Sequence, residues 1–205
     1  MIVSETNSLL RIGLPVYFVA FFVFAFFWRS YRVWKQTGIN PYVFGRTDSP
    51  YDWIGVGFRL SLLMNGIAIG VFSFAPSRYH LLAPIEWLVS YWVSIVGIVL
   101  LFASLIWIAV AQAQMGRSWR VGIDKKNKTE LVERGLFKYS RNPIFLGMRV
   151  AGLGLFLAIP NALTFATFVM QDMLMQVQVR LEEEFLSGMH PETYEEFKTR
   201  VRRWI

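Results

Sequence analysis

The chain contains no cysteine, which excludes disulfides, thiolate nucleophiles and cysteine-held metals. Its two histidines, His80 and His190, lie far apart in sequence, so a metal site built on imidazoles is not expected. Charge is scarce too: 17% of residues are Asp, Glu, Lys or Arg, whereas 55% are apolar. At 205 residues the length fits one domain, with no room for a separate soluble catalytic domain beside a membrane part. There is no internal repeat and no span broken at its middle, which argues against a transporter. The net charge of +7 could suggest nucleic acid. The basic residues, however, lie in short segments flanking apolar runs, where the positive-inside rule accounts for them. The first apolar run, about 9–28, is too long for a cleaved leader and has no small-residue cleavage site after it.

What the sequence does have is long uncharged stretches. They predict an all-α membrane protein of five transmembrane helices, spanning about 9–28, 53–74, 85–113, 143–159 and 162–180, since a bilayer core of roughly 30 Å needs about 20 helical residues. The loops after the first and third spans carry four and eight Lys and Arg, whereas the turns after the second and fourth carry one and none. That asymmetry puts the N-terminus outside and the C-terminus in the cytoplasm. The whole chain, 1–205, then forms a single membrane domain, with short amphipathic segments in the cytoplasm. One of these, Glu192–Arg203, has Tyr194, Phe197, Val201 and Trp204 roughly on one side.

Two charged segments flank the last helical hairpin and would meet at one membrane face: 131–147 and 180–186. Pro143 suits the first turn of a helix, where its missing N–H costs nothing. The amides of Ile144, Phe145 and Leu146 would then stand unpaired at the positive helix end. Asn142 could cap them, or a ligand carboxylate could dock there with help from the forked cation of Arg141. Glu182, Glu183 and Glu184 crowd negative charge at a helix C-terminus and call for cationic neighbours, either in a structural ion cluster or around a ligand ammonium or ribose hydroxyl. Deeper in the hairpin, Arg149 and Asp172 fall at similar depth and should pair, because an unpartnered charge in hydrocarbon costs several kcal/mol. Asp172, Gln176 and Glu183 recur near one helix face, either as glue between helices or as a polar stripe leading inward. Trp119 and Arg120 stand at the water boundary, as an anchor or as a gate for a lipid-like substrate. With Arg149 and Asp172, they are the candidate substrate contacts.

These same segments carry a resemblance. Gly135-Leu-Phe-Lys-Tyr-Ser-Arg-Asn-Pro-Ile-Phe-Leu-Gly147 resembles the G-x-Y-x-x-x-R-H-P-x-Y-x-G signature of integral membrane methyltransferases, the isoprenylcysteine carboxyl methyltransferase and phospholipid methyltransferase relatives. Glu182-Glu-Glu-Phe-Leu186, with Tyr194-Glu-Glu-Phe197 and the basic ending, is similar to their E-E-x-x-L…Y-x-x-Y tail. The resemblance covers about the last 90 residues. It implies S-adenosylmethionine as methyl donor, bound on the cytoplasmic side without a Rossmann domain, and a lipophilic small molecule or lipid as acceptor. By position it implies cofactor contacts at Tyr139, Arg141, Asn142, Pro143, Glu182 and Glu183, with Leu131, Val132 and Gly135 near the adenosine. The cofactor region would be 114–147 plus 180–205. Asn142 stands where the motif has histidine, and Phe137 and Phe145 where it has tyrosine. Asn can hydrogen-bond a carboxylate but cannot titrate, and no catalytic residue is identified. Sterol and steroid reductases that use NADPH resemble this region as well, but Met148 replaces their acid. A non-catalytic membrane scaffold is the remaining alternative.

Overall fold

The computed structural model describes residues 2–41, 49–121 and 130–205, with side chains from Ser8 onward. The loop positions around Arg46 and the stretch from Gly122 through Asp124 to Lys128 lie outside these residues. Among the described residues seven α-helices follow one another: α1 (Ile2–Phe22), α2 (Arg29–Thr37), α3 (Pro50–Phe74), α4 (Tyr91–Met115), α5 (Pro143–Ala158), α6 (Ala162–Met189) and α7 (Pro191–Arg200). Three stretches are long and apolar enough to cross a membrane: Ser8–Thr37, Pro50–Phe74 and Tyr91–Ser118. The predicted fourth and fifth spans correspond to α5 and α6. With 16 residues, α5 is about 24 Å long, shorter than a bilayer core of roughly 30 Å. α6 reaches 28 residues only by including its charged end.

Some boundaries differ from expectation for local reasons. The first helix does not stop at Trp28. A π-helical turn, Val23–Trp28, joins α1 to α2, and the helix runs on to Gly38, which adopts φ 69° and ends it. A π turn leaves backbone groups poorly paired. Here buried Gln112 of α4 donates to the Ala25 carbonyl at 2.9 Å. The third helix starts at Tyr91 rather than Ile85, because Ser90 caps it, its Oγ accepting from the Val93 amide at 3.3 Å. Residues Pro76–Leu82 and Glu86–Leu88 form 3-10 turns instead.

α4 and α5 make the most extensive helix contact, because Gly97 and Gly154 let their backbones touch. A Cβ on Gly97 would lie 2.4 Å from the Ala158 nitrogen. α6 begins with a capping box between Asn161 and Thr164, and it is tied to α3 through polar side chains. Thr167 donates to Asn65 at 2.7 Å and Gln171 to Ser61 at 3.1 Å. In a low-dielectric bundle such bonds orient helices that share no hydrophobic driving force. The amphipathic tail follows its pattern at three of the four positions: Tyr194, Phe197 and Val201 are buried in a small cluster of their own, with Leu131 and Leu186 against it, whereas Trp204 stands apart against Arg149.

Candidate functional site

At the end of the bundle where α4 finishes, α5 begins and α6 ends, two polar assemblies lie side by side. The first is closed. Glu183, 6% exposed, is held at Oε1 by Arg141 at 3.1 Å and by the Asn142 carboxamide at 3.3 Å. At Oε2 it is held by Arg203 at 2.7 Å. Arg141 also donates to the carbonyls of Lys198 and Val201. The Ser140 hydroxyl donates to the Arg203 carbonyl. The assembly therefore stitches the chain's last residues across the start of α5. Burial alone would raise the Glu183 carboxyl, but the Arg203 hydrogen bond and the charges of Arg141 and Arg203 outweigh it and hold it below the ordinary range. The Tyr194 phenol beneath is pushed well up, by burial first and then by Glu183. Arg141 and Glu183 thus meet as the hairpin argument predicts, but as partners of one another.

The second assembly is open. A chamber of about 450 Å³ runs between α1, α3, α4, α5 and α6. Its walls are aromatic, including Tyr17, Phe18, Phe22, Phe26 and Phe58. Its polar groups include Arg59, Gln112, Arg120, Gln171, Gln178 and Glu182. Gln178 is 5% exposed and its Oε1 has no hydrogen-bond partner, an omission that costs about 1–3 kcal/mol while it lasts. One helical turn on, Glu182 makes no hydrogen bond or ion pair among the described residues. Burial first, and then the neighbouring charge of Glu183, push its carboxyl up to about 7. The start of α5 closes this region with Ile144 and Phe145.

The expected site residues divide between these assemblies. Trp119, Arg120 and Glu182 line the chamber. Trp119 is 3% exposed, with the Arg29 guanidinium 5.9 Å from its ring centre. That is a wall position rather than an interfacial anchor. Arg141, Asn142 and Glu183 form the closed assembly, with Pro143 buried beside them. Asn142 does not cap α5, because its carboxamide turns to Glu183 and the Arg203 carbonyl instead. Leu131 packs on the tail cluster, Val132 is half-buried, and Tyr139 is 67% exposed. Gly135 adopts φ 64°, and a Cβ there would strike Gln114, which accepts from the next amide at 2.7 Å. Arg149 and Asp172 pair at 2.5 Å, as their depths predict, and Trp204 packs over Arg149. They are not among the chamber's lining residues.

The inward polar stripe is also corrected. Asp172, Gln176 and Glu183 are occupied by Arg149, Arg180 and Arg141 respectively. The residues of α6 that face the chamber are Gln171, Met175, Gln178 and Glu182. Gln178 and Gln112 carry no motif, and only the phase of their helices reveals them. Arg29 reads in sequence as a loop cation, but it is buried within a continuous helix and donates to the Gly116 carbonyl.

This arrangement of a lipid-sized aromatic chamber beside a tied-down charged hairpin coincides with a family match. The phospholipid methyltransferase model matches residues 89–193, just over half of the chain. The chain belongs to the phospholipid methyltransferase family. It is a membrane methyltransferase acting on a lipid-like substrate. The match takes in α4, α5, α6 and the first turn of α7, so it contains both glutamates and the α5 start. No curated protein matches the chain.

Proposed function

We propose that the protein transfers a methyl group from S-adenosylmethionine to a headgroup atom of a lipophilic molecule seated in the chamber. The observation that carries this reading is the chamber's composition. Its walls are aromatic, and on one face of α6 the Glu182 carboxyl and the Gln178 carboxamide oxygen have no hydrogen-bond partner among the described residues. Such acceptors suit ligand hydroxyl or ammonium groups. The donor's chemistry fits these residues: Glu182 and Gln178 for ribose hydroxyls or the amino group, Arg120 and the amides at the start of α5 for the carboxylate, and Trp119 for an apolar ring. When bound, S-adenosylmethionine supplies an electrophilic methyl group.

The chain's own contribution is positional. Phe22, Phe26 and Phe58 exclude water and guide the apolar part of the acceptor. The lining groups hold the acceptor atom in line, which is most of what a methyl displacement requires. The Arg141–Glu183–Arg203 assembly fixes the end of α6 against the start of α5, so Glu182 points inward. The five-helix topology, with the polar end of the chamber on the cytoplasmic side, follows the distribution of Lys and Arg. Either amine, hydroxyl or carboxyl acceptors are compatible with the family.

The test is calorimetric titration of the purified protein with S-adenosylhomocysteine and with NADPH, followed by transfer of labelled methyl to a membrane lipid extract. Binding of the nucleoside thioether and label in a lipid fraction are expected. Binding of NADPH alone would assign a reductase instead.

A further inference from the structure

The opposite end of the bundle holds a second cavity, of about 420 Å³. Arg11 of α1, Tyr79 of the first 3-10 turn, Glu86 of the second, Ser94 of α4 and Ile159 after α5 contribute to its lining. The chamber reaches along α5 as far as Leu155, about one helical turn from Ala158 of this cavity, while about 20 Å of the helix separates Ala158 from Phe145 near the chamber's polar end.

Arg11 and Glu86 both line this cavity, yet neither has an ion-pair or hydrogen-bond partner among the described residues. The Arg11 Nε is buried with no acceptor among the described residues. An arginine near the end of a membrane-crossing helix is retained at a cost unless something neutralises it. Its planar fork matches an anionic phosphate ester. Glu86 on the same cavity repels a second negative charge and offers a place for a cation. The segments around it carry exposed apolar residues of the kind found at a headgroup layer: Trp87 is 83% and Trp92 74% exposed, and Leu81 is exposed as well. Indole rings gather where the bilayer turns polar.

We infer that this cavity holds the headgroup of a zwitterionic phospholipid, its phosphodiester on Arg11 and its ammonium on Glu86, at the membrane face opposite the chamber's polar end. The lipid's chains lie along the exposed apolar surface of the adjoining helices. This site does not depend on the methyl-transfer reading, because none of its residues lines the chamber.

The experiment uses the full chain, delipidated in detergent. Retained lipid is counted by native mass spectrometry against added phosphatidylethanolamine, phosphatidylglycerol, diacylglycerol or soluble phosphorylethanolamine. Wild type should retain one phosphatidylethanolamine at about tenfold lower concentration than diacylglycerol. Arg11→Gln should lose that tenfold preference, while Arg11→Lys, which keeps the charge and guards against a folding defect, should keep most of it. Glu86→Gln should turn the preference towards phosphatidylglycerol. Arg78→Gln, in the turn that carries Tyr79 but outside the cavity lining, should behave as wild type. Equal retention of all three lipids by wild type, or wild-type retention by Arg11→Gln, would overturn the proposal. Loss of the retained lipid in Glu182→Gln would overturn it too, by placing that lipid in the chamber. Phosphorylethanolamine binding as tightly as the lipid would assign the site to a free zwitterion.

Discussion

Glu182 and Glu183 are neighbours in the chain, yet they occupy opposite electrostatic worlds. Glu183 is enclosed by two guanidiniums and a carboxamide. Glu182, about 100° round the helix from it, looks into a mostly apolar chamber and pairs with no cation among the described residues. One carboxyl is held below its ordinary range and the other pushed up to about 7. The difference teaches that a run of acids at a helix end can divide its labour. A saturated carboxylate builds structure, because its lone pairs are already spent, whereas an unsatisfied one is available to a ligand.

The largest effect that separates the two should come from Glu183→Ala. Removing it leaves Arg141 buried and uncompensated, a loss of about 3–5 kcal/mol. A fall in the melting midpoint of roughly 10 °C and early proteolysis of the tail after Met189 are expected. The pH dependence follows the same sign. Because the Glu183 carboxyl is depressed in the fold, its stabilisation is present above the ordinary carboxylate range and is lost as pH falls through the lowered value. An unfolding series from pH 7 down to pH 3 should therefore show an acid limb that the alanine variant lacks.

Glu182→Gln should do the reverse, sparing the fold and weakening ligand binding. Calorimetry with S-adenosylhomocysteine should show about a 10–100-fold loss of affinity, or 1.4–2.8 kcal/mol. An unchanged affinity would place the donor away from this face of α6. The ligand-free protein offers a third comparison. The raised Glu182 carboxyl contributes stability that is complete below the ordinary carboxylate pKa and is lost as pH rises through about 7. Glu182→Gln should thus melt higher than wild type at pH 8, by roughly 4 °C, and match it at pH 4. The smallest effect on donor binding belongs to Asp172→Asn. Neither Asp172 nor its partner Arg149 lines the chamber, so donor affinity should be unaltered, while the unpartnered Arg149 should lower the melting midpoint.

Much of the helical framework was legible in the chain. Apolar runs mark α1, α3 and α4, and the depths of Arg149 and Asp172 on antiparallel neighbours predict their contact. The meeting of Arg141 with Glu183 follows from the hairpin in the same way. The helix that runs past Trp28 was not legible, because Arg29 reads as a loop cation until Gly116 is brought beside it to accept its hydrogen bond. Trp119 was legible as a candidate substrate contact and lines the chamber, but its burial beside Arg29 was not legible. The stripe on α6 was displaced by one residue, from Asp172 to Gln171 and from Glu183 to Glu182. An error of that size rotates every side chain by about 100°.

The amino-acid sequence by itself determined that this chain is a helical membrane protein with a charged hairpin of methyltransferase character. Hydropathy and motif spacing are local properties, and they survive without coordinates. The tertiary structure alone decided which glutamate is spent on the fold and which faces the chamber, and that Arg11 and Glu86 share a cavity. Those facts depend on helix phase and on partners brought from distant parts of the chain, and side-chain electrostatics acts over only a few ångströms.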